Sequence, residues 1–125
     1  MNNVQGARVL VVEDDYVIAT DTMEMLRSAG AVPVGPFSWE DEALAFASDA
    51  ANLLDLAILD VDLHGKPSYR VADALAARGV PVIFTTGFGT DALAPAYRGC
   101  PRLEKPVSDQ ALIAALRLQR GLDAG

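Results

Sequence analysis

Four short apolar runs in this chain each stop at a side chain capable of chemistry, and that coincidence constrains the fold more than any other feature. Arg8-Val9-Leu10-Val11-Val12 ends in Glu13-Asp14-Asp15, and the run from Leu54 ends in Asp60. Pro81-Val82-Ile83-Phe84-Thr85 leads into Thr86-Gly87, and Pro101 to Glu104 leads into Lys105-Pro106. The first run is β-branched without polar alternation, as expected of a strand covered on both faces. A further apolar run, Ala31 to Phe37, contains Pro33 and Pro36. Neither can donate a ladder hydrogen bond, so that strand belongs at a sheet edge.

Between the runs the apolar period becomes helical. Ile18, Thr22, Met25, Leu26 and Ala29 fall on one face, and Gly30 follows as a stop. Ser38 reads as an N-cap, with Asp41 three residues on, for a helix burying Ala43, Phe46, Ala47 and Ala50. Val61 to Pro67 reads as a loop, followed from about Ser68 by a helix that buries Val71, Ala74 and Leu75 and stops at Gly79. Asp91 to Arg98 is at best a short helix, because Pro95 lies inside it. Ser108 caps a last helix with Val107, Ala111, Ala114 and Leu118 on one side. Leu112, Ile113 and Leu116 add apolar surface beyond that stripe, either because the helix is deeply covered or because it offers a docking or dimer face. The sum is a (βα)₅ chain with parallel strands, right-handed crossovers and helices on both faces. Its 125 residues make one domain, with a core from about residue 8 to residue 119.

Charge and rare residues exclude several functions. Ten Lys+Arg against 17 Asp+Glu give a net charge of −7, which opposes binding along a nucleic-acid backbone. The single cysteine, Cys100, excludes an internal disulfide and reads as packed. The single histidine, His64, excludes a His-rich metal cluster and reads as an exposed loop residue. Trp39 is placed to cover the sheet edge, and Lys66 and Arg70 read as a solvated rim. No apolar run approaches the roughly 18–20 residues of a membrane span, and Met1 to Gly6 lacks the apolar core of a signal peptide. The expected compartment is the cytoplasm.

In a parallel sheet of this kind, reactive groups gather beyond the C-terminal strand ends, where strand order reverses. Strand one delivers Glu13, Asp14 and Asp15; strand three delivers Asp60, then Asp62; strand four delivers Thr85 and Thr86; strand five delivers Lys105. Converging carboxylates repel, and at least one pKa rises. A hard divalent cation relieves this, and Mg²⁺ suits a site of carboxylates, a carbonyl and waters. With a lysine and a hydroxyl added, the set resembles a phosphoryl-transfer site. No Gly-x-x-x-x-Gly-Lys-Ser/Thr loop and no Gly-x-Gly-x-x-Gly after strand one provides a nucleotide cradle. The candidate nucleophile is therefore a carboxylate, and an aspartate that attacks phosphorus becomes an acyl phosphate. Helix capping alone accounts for Asp14 or Asp15 but leaves Asp60 and Lys105 as coincidences. Asp15 itself reads as a cap or solvated acid.

The segments Val-Leu-Val-Val-Glu13-Asp14-Asp15, Ala-Ile-Leu-Asp60-Val-Asp62-Leu, Pro-Val-Ile-Phe-Thr-Thr86-Gly and Glu-Lys105-Pro106, in that order, resemble the receiver domains of two-component response regulators. The resemblance runs from about Arg8 to Gln119. It implies a flavodoxin-like, doubly wound, five-stranded parallel sheet of order 2-1-3-4-5. It implies phosphorylation of Asp60 by a phosphohistidine on a histidine kinase or a histidine phosphotransfer protein. Glu13 and Asp14 would be the acidic pair, with Mg²⁺ held by the side chains of Asp14 and Asp60 and by the backbone carbonyl of Asp62. Thr86 would bond the incoming phosphoryl group, Lys105 would pair with it, and the Lys105–Pro106 bond is a cis-peptide candidate. Phe84-Thr85-Thr86-Gly87-Phe88 is similar to the Phe-Ala-Thr-Gly-aromatic motif of single-domain receivers linked to HWE or related kinases, with Thr85 in the place of alanine. Arg102 stands three residues before the lysine, where many receivers carry Tyr or Phe. Phe88 is the expected substitute in switching, and Gly87 and Gly89 should leave the loop after strand four mobile enough for phosphorylation to order it.

The expectation is a stand-alone receiver, not an enzyme, with no output domain, since only Gly121 to Gly125 follow the last helix. It would bind a downstream protein when phosphorylated or drain phosphoryl groups from a kinase, as a monomer or weak homodimer without nucleic acid or membrane, losing its phosphate slowly to water. One alternative is a receiver module of a hybrid kinase. Another is an aspartate-nucleophile phosphatase of the haloacid-dehalogenase kind, with Asp62 as acid/base, although those enzymes place the nucleophile after the first strand.

Overall fold

The computed structural model describes residues 4–87 and 93–124. Five strands, β1 (Arg8–Val12), β2 (Val32–Phe37), β3 (Leu56–Asp60), β4 (Val82–Thr86) and β5 (Arg102–Glu104), form one parallel sheet of order β2-β1-β3-β4-β5. The helices are α1 (Tyr16–Ser28), α2 (Glu40–Ser48), α3 (Tyr69–Ala77) and α4 (Asp109–Ala124). This is the parallel, doubly wound sheet that the alternating periods imply, in the flavodoxin-like order that the resemblance implies. Between β4 and β5, the described residues hold one 3₁₀ turn, Pro95–Tyr97, with proline at its start.

Alternate strand residues feed two cores, one on each face of the sheet. Leu10, Val12, Ala57, Leu59 and Phe84 pack with Ala43 and Ala47 of α2 and with Val71, Ala72 and Leu75 of α3. Val9, Val11, Leu56, Ile58 and Ile83 pack with Met23 and Leu26 of α1 and with Leu112 and Leu116 of α4. The two-proline strand β2 is an edge, as its missing donors require. Because β1 lies between β2 and β3, the chain leaves β1 in one direction and returns on its other side. The crevice beyond the C-terminal ends of β1 and β3 is thus the switch point.

Several local expectations differ from the structure. On α1, Ala19, Met23 and Leu26 are buried while Ile18, Thr22 and Met25 are half-buried, because the small Ala19 lets this neighbouring stripe approach the sheet. Ser38 does not cap α2: the cap position is Trp39, which makes no side-chain cap bond, and Glu40, Asp41 and Glu42 favour the helix N-terminus by their charge. Ala50 lies past the end of that helix and is exposed, and Phe46 is half-buried. On α3, Ala72 is buried and Ala74 only half-buried. On α4, Leu112 and Leu116 face the core, while Ala111 and Ala114 are exposed and Leu118 is 62% exposed. Two leucines bury far more apolar area than two alanines, so they set the rotation of the helix. Ser108 does cap it, its Oγ accepting from Ala111 N–H at 3.1 Å. The segment Val61 to Pro67 is not a plain loop, since Asp62–Leu63 and Lys66–Pro67 pair as a small antiparallel hairpin. Trp39 does not cover the sheet edge; it is 52% exposed and stacks on His64.

Candidate functional site at the strand tips

Three strands bring their terminal residues into the crevice. At the tip of β1, Glu13 N–H donates to the Phe37 carbonyl at 2.9 Å, which ties the acidic triplet to the end of β2. The next residues divide their roles. Asp15 is the N-cap of α1, its Oδ1 accepting from Val17 N–H at 2.9 Å and from Ile18 N–H at 3.1 Å. Its own N–H donates to Glu13 Oε2 at 3.1 Å. The cap thus orients the carboxylate two residues before it.

At the tip of β3, Asp60 is 5% exposed, and its Oδ1 accepts from Asp62 N–H at 3.2 Å. Beyond β5, Lys105 N–H donates to the Thr86 carbonyl at 2.8 Å, extending the β4–β5 ladder by one bond and aiming the lysine inward. Lys105 Nζ then lies 2.8 Å from Asp60 Oδ2 and 2.7 Å from Glu13 Oε1. Asp14 is steadied from the opposite wall, its Oδ2 accepting from His64 N–H at 2.9 Å. Carboxylate oxygens of Glu13, Asp14 and Asp60 all lie within 4.8 Å of one another.

The charges in this bowl are unevenly matched. Burial pushes the Glu13 carboxyl up to about 7 and Asp60 adds to the rise, while Lys105 and the Asp15 N–H pull the other way. For Asp14, burial acts upward, yet the His64 N–H and hydrogen bonding with Glu13 and Asp60 outweigh it and hold the carboxyl below the usual range. For Lys105, burial acts downward, but pairing with Asp60 and then Glu13 outweighs it and holds the ammonium above its usual range. The lysine stays charged, and one of its carboxylate partners is held against its preference.

The remaining residues singled out from the sequence take varied places. Thr86 is buried at the end of β4 and joins the site through its carbonyl. Asp62 points its side chain to solvent and meets the site through its backbone. Gly87 follows β4, and Arg102 is exposed on β5. Phe88 and Gly89 lie outside the described residues. The Lys105–Pro106 peptide bond is cis. Cys100 is half-buried and packed against the core. A cleft of about 320 Å³ opens beside Lys105, lined by Ile18, Asp21, Thr22, Met25, Pro106 and Val107 as well as the lysine itself. Side-chain chemistry alone missed the three backbone N–H donors, those of Asp15, Asp62 and His64, that each hold one carboxylate. Gly65 with Pro67 marks a turn there, but no residue type in the sequence points to the His64 N–H as a donor.

No family model matches the chain. Among curated proteins, it is similar to the transcriptional regulatory protein PdtaR of Mycobacterium tuberculosis, 33% identical over 120 residues. The match takes in 89% of this chain and 55% of that protein, so the chain spans about half the length of the curated relatives it matches. Among solved structures, it is similar to SdrG from Sphingomonas melonis Fr1, with a TM-score of 0.80 and 36% identity, covering 95% of this chain and 98% of that one. It is also similar to a response regulator receiver protein from Burkholderia phymatum, with a TM-score of 0.80 and 28% identity, covering 92% and 95% of the two chains.

Proposed function

This chain belongs to the receiver-domain family of bacterial two-component response regulators, and from that premise we propose that Asp60 accepts a phosphoryl group from a phosphohistidine on a histidine kinase or phosphotransfer protein. The observation that carries the reading is the convergence on one buried carboxylate. Lys105 Nζ sits 2.8 Å from Asp60, and two more carboxylates lie within reach of a single cation. An all-oxygen donor set with two buried acids, one of them pushed towards neutrality by burial, fits a hard divalent ion such as Mg²⁺. Glu13, Asp14 and Asp60 would hold it by their side chains, with the Asp62 carbonyl as a further donor. Bound there, Mg²⁺ would supply charge neutralisation for the transferring phosphoryl group.

The chain's own groups then have distinct tasks. A carboxylate oxygen of Asp60 attacks phosphorus, a P–O bond forms as the P–N bond breaks, and the electron pair goes to the departing imidazole nitrogen, which takes its proton from solvent water. The product is an acyl phosphate on Asp60. The Asp62 N–H keeps the carboxyl in place during attack, and Lys105 moves from Asp60 Oδ2 to a phosphoryl oxygen. Thr86, at the tip of the neighbouring strand, donates its hydroxyl to another. The cleft beside Lys105 offers a partner protein an apolar foothold next to the reacting carboxylate. The sequence Phe84-Thr85-Thr86-Gly87 favours a kinase of the HWE or a related class as that partner. The phosphorylated chain acts by binding a downstream protein or by draining phosphoryl groups from the kinase, and it returns to the resting form by slow hydrolysis.

Incubation with acetyl phosphate and Mg²⁺ should add one phosphoryl group, about 80 Da, and Asp60→Asn should abolish the addition. Labelling retained in Asp60→Asn removes Asp60 as acceptor. Rapid turnover of small phosphate esters would replace the receiver reading with a hydrolase.

A further inference from the structure

His64 occupies a position that its backbone should resist. The hairpin Asp62–Leu63/Lys66–Pro67 closes through two residues, His64 at φ +50° and Gly65 at φ +83°. Two positive φ values define the tight turn that favours Asn-Gly or Gly-Gly, and a non-glycine residue in this region costs roughly 1 kcal/mol. Something outside the turn must recover that cost. The imidazole of His64 stacks on the Trp39 indole with ring centroids 3.7 Å apart and planes 15° from parallel. Trp39 is the N-cap residue of α2 and makes no side-chain cap bond there. The same turn directs the His64 N–H onto Asp14 Oδ2 at 2.9 Å.

We propose that Trp39 is a positioning residue for the cation site: by clamping the His64 ring, it holds the turn whose N–H orients the Asp14 carboxylate. The proposal rests on the reading of Asp14 as a Mg²⁺ ligand. Trp39 touches neither the ion nor the phosphoryl group in this account and acts only through the turn. A Trp39→Ala change leaves the turn its strain without its clamp, so the N–H wanders and Asp14 loses its preset orientation. Trp39→Phe keeps a flat ring in the same place. His64→Gly removes both the strain and the clamp, which separates turn geometry from stacking.

Two measurements decide the matter. Calorimetric titration with Mg²⁺ alone, at a pH near 8, should show affinity lower by about three- to tenfold in Trp39→Ala and largely restored in Trp39→Phe. Hydrogen exchange without metal should show the His64 amide losing protection by at least about threefold in Trp39→Ala, and the residue-64 amide keeping it in His64→Gly, where the strain that the clamp offsets is gone. Wild-type affinity in Trp39→Ala, no recovery in Trp39→Phe, or full protection of the His64 amide in Trp39→Ala would each overturn the proposal. A wild-type chain that takes up no Mg²⁺ would instead refute the metal reading. In that case the exchange arm still shows whether Trp39 holds the turn.

Discussion

Glu13 offers a direct reading of the strain in the acidic bowl. The residue is 4% exposed, and burial raises its carboxyl from 4.5 to about 7. A native pKa above the unfolded value means that the folded chain holds the extra proton. The associated stability is fully present below about pH 4.5 and is lost as the pH rises through about 7. At about 1.4 kcal/mol per pH unit, the loss comes to about 3 kcal/mol. Asp14, with its lowered pKa, acts below this window, and Lys105, with its raised one, acts above it. Urea unfolding in the presence of EDTA, from about pH 5 to about pH 8, should therefore show the midpoint falling by about 1–3 M. In Glu13→Gln that fall should largely disappear. The substitution also takes one partner from Lys105, so the readout is the slope against pH and not the absolute stability. Parallel curves for the two proteins would refute the assignment of the strain to Glu13.

Two packing predictions test the helix rotation and the edge strand. Leu112→Ala should destabilise the chain by about 2–5 kcal/mol in urea unfolding, because it opens a cavity in the core under α4. Leu118→Ala, on the exposed side of the same helix, should stay within about 0.5 kcal/mol of wild type. Gly35→Ala should cost about 1–3 kcal/mol, since φ is +119° and the new Cβ would lie 2.8 Å from the Val11 carbonyl oxygen.

The topology was legible because each strand is a short apolar run with its own punctuation, and the site was legible because the residues at the run ends are chemically unlike their neighbours. Asp60 and Lys105 are 45 positions apart along the chain, yet the rule that parallel strands share one reactive end is enough to bring them together. Helix rotation was harder to read. α4 offers two apolar stripes, and only the three-dimensional fit decides that Leu112 and Leu116 go inward while Ala111, Ala114 and Leu118 go out. Capping was misjudged at Ser38 because a cluster of three acids can serve the helix N-terminus by field alone. The contribution of His64 was hidden for another reason: it comes from a backbone N–H, and residue type carries no direct record of where a main-chain donor will point.

The resting charge of the bowl connects these observations to the proposed chemistry. When ionised, three carboxylates against one ammonium leave an excess of two negative charges in a partly buried space. Lys105 alone cannot neutralise them, and the Glu13 carboxyl is raised chiefly by its burial, with a smaller push from Asp60. A divalent cation cancels the excess, whereas a monovalent one leaves half of it. The proposed phosphorylation of Asp60 would remove one carboxylate charge while bringing in about two on the phosphoryl group, so the bowl would gain only about one. That gain falls where Lys105 has just been freed from Asp60 Oδ2. On the proposed reading, the resting ion pair would be a holding position for the lysine, whose pairing with Asp60 and Glu13 keeps it charged.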